Sequence, residues 1–188
     1  MKRKLLLILF LGASLMANSQ NVSVENSQFG VQAIIISIYA QYEKKLTNLV
    51  TLRGEIGLEP GITAESDVDS RRLFLSPVLN LESRWYYNLN KRLKKSKRID
   101  LNSGNFVSLR TSYHPGWFAI SRSNIPINVI SDIVINPYWG IRRNLGKKFN
   151  YEVGAGVAFV SRLEEFSSRS IKNNFFIADL HLRIGYTF

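Results

Sequence analysis

Apolar and polar residues alternate strictly along much of this chain, and that period of two is the feature that most limits what it can fold into. The last stretch, "FFIADLHLRIGYTF", places Phe176, Ala178, Leu180, Leu182, Ile184, Tyr186 and Phe188 on one face. Asp179, His181, Arg183, Gly185 and Thr187 fall on the other. Successive side chains of a β-strand point to opposite faces, so this pattern predicts strands. It recurs over 50–58, 73–87, 107–119, 133–141 and 149–159. No long helical periodicity and no apolar run of membrane-spanning length follows residue 20.

Alternation does not say which face lies inside. A soluble barrel turns its apolar face inward, and a membrane barrel turns it outward. Three observations favour the second arrangement. Lys2, Arg3 and Lys4 precede the apolar run Leu5 to Leu11, and small residues follow up to Ser19, which predicts a secretory signal over 1–19 and a barrel domain over 20–188. The apolar faces are capped by aromatic residues near the strand ends. The polar faces mix Arg, Glu, Asn and Gly, whereas lysine gathers in the connections at Lys44-Lys45, Lys91 to Lys97 and Lys147-Lys148.

Composition narrows the chemistry. There is no cysteine, which excludes disulfides, thiolate nucleophiles and thiolate metal sites. Twenty-five basic residues face fourteen acidic ones, and removing the leader takes away only three of the basic set. For an exported chain this basicity points to an anionic membrane surface rather than to nucleic acid. No metal-ligand spacing, phosphate loop or nucleotide fingerprint stands out, so no cofactor and no metal are expected.

Connections alternate between basic turns ("KKLTN", "NKRLKKSKRIDLNSG", "NLGKK") and less basic loops ("TAESDVDS", "SRSNIPINVIS", "EEFSSRSIKN"). This gives seven strands. Bacterial single-chain barrels have an even number. The stretch from Phe29 to Lys45 is therefore read as two strands with a tight bend near Ile35 to Ile38, although that bend lacks turn residues. The expected fold is all-β: an up-and-down antiparallel transmembrane barrel of eight strands.

The segments "TLRGEIGL", "SPVLNLESRWYYNLNKR", "SGNFVSLRTSYHPGWFAIS", "NPYWGIRRNLGKKFNYEVGAGV" and "LHLRIGYTF" together resemble a family of small outer-membrane barrels of the Bacteroidetes group, across nearly all of the mature chain. That family carries no established activity, so the resemblance transfers no catalytic residue. It implies an outer-membrane location, membrane lipids and the barrel assembly machinery as partners, and a monomer. It also implies that the terminal strand, with Ile184, Gly185, Tyr186 and Phe188, is an assembly signal.

Site residues follow from the two faces. Arg53, Arg84, Arg110, Arg142 and Arg183 share the polar face with Glu43, Glu55, Glu82, Glu152 and Asp179. An eight-stranded barrel is just wide enough to be filled by side chains, and charges enclosed there must pair. A salt-bridge plug is expected, with His181 a member. Trp85, Tyr87 and Tyr151 belong to one aromatic girdle at the turn end, and Phe74 and Trp117 to a second at the outer end. The role expected is structural or surface-interaction, not enzymatic. The alternative is a lipid-modifying hydrolase or acyltransferase using His114, with Ser112 on the same face. Residues i and i+2 stand about 7 Å apart along a strand, too far for a direct nucleophile–base bond.

Overall fold

The alternating stretches form strands whose registry closes on itself. The computed structural model describes residues 22–62, 72–122, 127, 129–163 and 174–188. Its strands are β1 (Ser27–Ile34), β2 (Ser37–Lys45), β3 (Val50–Ile62), β4 (Leu73–Trp85), β5 (Asn105–His114), β6 (Ile120–Ser121), β7 (Asp132–Leu145), β8 (Phe149–Arg162) and β9 (Asn174–Thr187). A short helix α1 (Leu89–Leu93) and a 3-10 turn (Asp100–Asn102) lie between β4 and β5. The eight long strands pair antiparallel with their chain neighbours, and β9 returns to β1 through Gly30↔Thr187 and Ala33↔Ile184. The result is a closed eight-stranded barrel with no free edge along its lower wall. Among the described residues β6 pairs only with the upper end of β4, at Phe74↔Ser121 and Leu75↔Ile120, and continues the wall where β5 stops.

The bend that splits residues 29–45 lies at Ile35-Ile36, with Ile34 paired to Ser37 across it. Parity explains the split. Gln28 and Gln32 on β1, and Gln41 and Glu43 on β2, all face inward and are buried. One straight strand could not keep both sets beside their partners on β9 and β3.

Registry also sets the tilt. Starting at Gly30, the paired row runs through Gln41, Glu55, Asn80, Ser112, Val134, Val160 and Phe175. Gly30 itself pairs with Thr187, twelve residues from Phe175 on the same strand. Such a stagger inclines every strand to the barrel axis. β1 and β2 have 8 and 9 residues, against 13 for β3 and 14 for β9. Among the described residues, β3 beyond Leu58 and β9 above Ile184 therefore have no strand partner on the β1–β2 side.

Polarity is inside out relative to a soluble core. Ile56, Leu81, Leu109, Leu180, Leu182 and Ile184 are exposed on the outer wall, while Arg53, Glu82, Arg84, Arg142 and Glu152 are fully buried. Three details differ from the sequence reading. The strand expected over 107–119 ends at His114, because Pro115 has no N–H to continue the ladder. Trp117 consequently lies in the connection after β5. There it and Phe118 flank an apolar groove of about 400 Å³ with Ile38, Leu58 and Pro77 on the outer face. Phe74, expected in the outer girdle, shares the inward parity of Ser76 and packs over its paired residue Gly61.

The third difference is the basic connection after β4, which is more than a turn. Leu89 of α1 is fully buried, and with Tyr86, Phe106, Tyr138, Val22 and Val24 it forms a small apolar core. That core closes the turn end of the barrel. Asn102, held at φ 59°, accepts a hydrogen bond from the Glu25 amide at 2.8 Å and donates to Glu43 at 3.0 Å. It thus ties the N-terminal segment to the lumen floor.

Gly140 faces Phe106 so closely that an added Cβ would lie 2.4 Å from the ring. Gly140→Leu should destabilise the barrel by about 1–3 kcal/mol, read as a shifted chemical-denaturation midpoint. The unaltered barrel should migrate differently in gels with and without boiling, because its ladder is closed. Identical migration would contradict closure.

Candidate functional site

Inward-facing positions of β2, β3, β4, β7, β8 and β9 each deliver charges to the lumen. They meet around Glu152. Arg84 donates to both of its carboxylate oxygens, from Nη1 at 3.0 Å and Nη2 at 2.9 Å. Arg53 Nη1 donates at 3.1 Å, Gln32 Nε2 at 3.0 Å, and Arg142 Nη1 lies 3.3 Å away. One carboxylate therefore holds three guanidinium groups from three strands. The other carboxylates divide the remaining donors. Glu82 takes Arg84 Nε at 2.6 Å, and Glu43 takes Arg142 Nη1 at 3.0 Å. Glu55 takes Arg183 Nη1 at 2.9 Å and also pairs with Arg53.

Four arginines and four glutamates thus form one neutral cluster, and every side chain in it is nearly or fully buried. Taking an ion out of water costs several kcal/mol, and only good geometry with further hydrogen bonds offsets that. The further bonds are present. Glu43 also accepts from Thr51 at 2.7 Å and from Tyr86 at 3.1 Å, and Asn80 donates to Glu55 at 3.0 Å. Aromatic faces cover the cations: the Arg84 guanidinium lies 4.4 Å from the Phe106 ring centroid, and that of Arg183 lies 4.6 Å from Tyr39.

A second, partly exposed tier lies above the cluster. Arg110 donates to Asp179 at 3.2 Å, with Asn136 as a second donor. The His181 ring stands edge-on to Tyr138 at 4.8 Å, over Gly154, where any Cβ would strike it. All ten charged residues assigned to the polar face share one lumen. Eight of them make the lower cluster, and Arg110 and Asp179 make the upper pair.

His114 sits higher still, at the end of β5. Its Nδ1 is 2.6 Å from Asp132, its cross-strand neighbour, and its Nε2 is 3.1 Å from Glu59 of β3. Tyr39 donates its hydroxyl to the same Glu59 at 2.9 Å. Ser112 lies beside Asn80 and Val134. The ring nitrogens of His114 therefore meet two carboxylates, and among the described residues no serine is bonded to them. Among the described residues, no group of three His, Asp or Glu side chains is placed to hold a metal ion.

Trp85, Tyr87 and Trp139 are outward-facing at the turn end, where Trp139 Nε1 donates to the Tyr87 hydroxyl at 2.8 Å. Tyr151 faces outward on β8 at the same level, paired with Arg143. Phe188 stacks on Phe29 at 5.5 Å and meets Tyr186 edge-on at 5.2 Å, while its amide donates to the Phe29 carbonyl at 3.0 Å. Ile184 points outward. Gly185 points inward, where a Cβ would lie 2.6 Å from Asn150. Glu59, Asp132, Tyr39, Gln32 and Asn102 join these sites without having been singled out in the sequence. Glu59 and Asp132 bracket an outer loop and a strand end, where alternation gives no parity to read. Comparison with family models, curated proteins and solved structures finds no match to this chain.

Removing the Glu152 charge leaves three buried guanidinium groups short of a partner. Glu152→Gln should cost about 3–5 kcal/mol. Asp179→Asn, in the partly exposed pair, should cost about 1 kcal/mol or less. Equilibrium unfolding of both variants checks the order. Equal losses would mean that Glu152 is not the centre of the cluster.

Proposed function

We propose that this protein is an integral outer-membrane barrel with a closed, ion-paired lumen, serving a structural or surface-interaction role through the connections at the Ile35-Ile36 end. The observation that carries this reading is the inverted polarity. A wall of exposed Leu, Ile, Val and aromatic side chains surrounds a lumen of buried Arg and Glu. In water such a wall would be a large apolar patch, which soluble monomers rarely carry. In lipid it is the outward band of a barrel. Five of the eight long strands, with 13 or 14 residues, exceed the 9–11 a tilted strand needs to cross a bilayer, β2 and β5 with 9 and 10 match it, and β1 with 8 is one short. Closure satisfies the backbone of the lower wall internally, as hydrocarbon demands.

The leader over 1–19, which lies outside the described residues, supports export. The resemblance to Bacteroidetes outer-membrane barrels agrees with it. On this topology the ends Ser27 and Thr187 and the turns after β2, β4 and β7 face the periplasm. Outer-membrane lipids and the assembly machinery are the partners, and Phe188 with Tyr186 is the segment the machinery reads.

A second reading, a lipid-modifying enzyme at His114, has one feature in its favour. The low β1–β2 hairpin leaves the upper stretch of β3, and with it Glu59, paired to β4 but without a strand partner on the β1–β2 side among the described residues, so that this side of the wall lies open towards lipid. Against it stands the Glu59 carboxylate on Nε2, where a serine hydroxyl would be required.

In planar bilayers the purified protein should show no stable conductance steps, because paired side chains fill the lumen. Large, stable steps would overturn the plug. Incubated with phospholipid vesicles, the protein should release no fatty acid. Release that disappears in His114→Ala would favour the enzyme.

A further inference from the structure

The turn after β4 carries the densest charge in the chain, and the closed lumen gives it no task. Lys91 and Arg92 of α1, Lys95 and Lys97 after it, and Arg143 of β7 line one cavity of about 490 Å³ together with Tyr87. Five cations converge there, and no carboxylate is among the lining residues. The convergence is built by the backbone. Ser96 adopts φ 51°, and the chain folds back so that the Lys95 and Lys97 amides both donate to the Arg92 carbonyl at 3.0 Å. A basic turn that merely sought solvent would spread its side chains apart.

Both guanidinium groups are held by neutral acceptors. Arg92 donates to the Arg98 carbonyl at 2.8 Å and 3.0 Å. Arg143 donates to the Arg142 carbonyl at 2.7 Å and to Asn105 at 2.5 Å. These bonds fix the groups in position and leave their charge unbalanced. The nearby acid, Asp100, is already engaged by Arg98 at 2.6 Å.

The mouth of the cavity also has a defined level. Tyr87 lines it, and the same Tyr87 accepts from Trp139 and meets Trp85 edge-on at 6.0 Å on the outer wall. Tyrosine and tryptophan of this kind sit at the membrane–water interface. A ligand here would carry its negative charge at headgroup depth, with apolar wall directly beside it.

We infer that the cavity formed by Lys91, Arg92, Lys95, Lys97 and Arg143 binds the phosphate headgroup of an anionic glycerophospholipid in the leaflet at the turn end of the barrel. Arg forks and Lys ammonium groups are the usual donors to phosphate oxygens. The acyl chains then run up the outer wall over Trp85 and Trp139. This inference rests on the membrane reading above.

The test uses the whole mature protein folded in neutral detergent with added phosphatidylglycerol or phosphatidylcholine, and native mass spectrometry reads the retained lipid. Phosphatidylglycerol should be retained in preference. The triple variant Lys91→Gln, Lys95→Gln, Lys97→Gln, built on exposed side chains, should lose that preference by roughly fivefold for each charge removed. The variant Lys44→Gln, Lys45→Gln, at the same rim but outside the cavity, should keep it. Equal retention of the two lipids, or equal losses in the two variants, would overturn the site and leave only a generally basic rim. Inorganic phosphate or glycerol phosphate that displaces phosphatidylglycerol at equal concentration would assign the cavity to free phosphate and overturn the lipid. Insertion into pure phosphatidylcholine vesicles is scored separately by flotation. Insertion without lipid preference overturns this inference alone, whereas failure to insert overturns the membrane reading and the inference with it.

Discussion

Glu152 binds three arginines from three strands, and that contact is the one on which the arrangement of the barrel turns. An isolated ion in so narrow a lumen would cost several kcal/mol, so no member of the cluster can be placed without the rest. Strand registry, stagger and lumen filling are thereby coupled. A one-residue slip of β8 would carry Glu152 to the outer wall and leave Arg53, Arg84 and Arg142 enclosed without it. The ion pairs act as a registry device as much as a source of stability.

The same cluster explains why the apolar side chains are outside. A barrel of eight strands encloses little volume, and arginine and glutamate with their tyrosine, asparagine and glutamine partners occupy it here. Glycines at 140 and 154 yield the space that Phe106 and His181 require. Leucines, isoleucines and aromatics of the other parity have only the exterior left. The apolar layer of Tyr86, Leu89, Phe106, Val22 and Val24 lies beneath the cluster and keeps water from its lower side. The other clusters of charged side chains lie at the two ends. The high rim brings His114 between Asp132 and Glu59, and the low rim gathers five cations around one cavity.

Much of this was legible in the residues. Period-two alternation predicted the strands and sorted their residues into two faces, because a pleated strand leaves no freedom in parity. Arg53, Glu55, Glu82, Arg84, Arg142, Glu152 and Arg183 were assigned to one face on that ground alone, and they do share one lumen. The split of residues 29–45 was reached by counting strands, although Ile35-Ile36 carries no turn signal. Where alternation stops, the reading stopped too. The chain beyond His114 continued the pattern in Trp117 and Ala119, yet Pro115 ended the ladder.

The sequence by itself determined the all-β class, the two faces of each strand and the balance of charge on the polar face, since each follows from local spacing and composition. Only the tertiary structure decided the pairings. That Glu152 rather than Glu82 holds three arginines depends on stagger around a closed ring, and stagger is a sum over every registry in the barrel. That Glu59 reaches His114, that Asn102 joins Glu25 to Glu43, and that Arg143 of β7 lines one cavity with the lysines after β4 are likewise products of closure. Those contacts link residues far apart in the chain, and no local pattern encodes the distance between them.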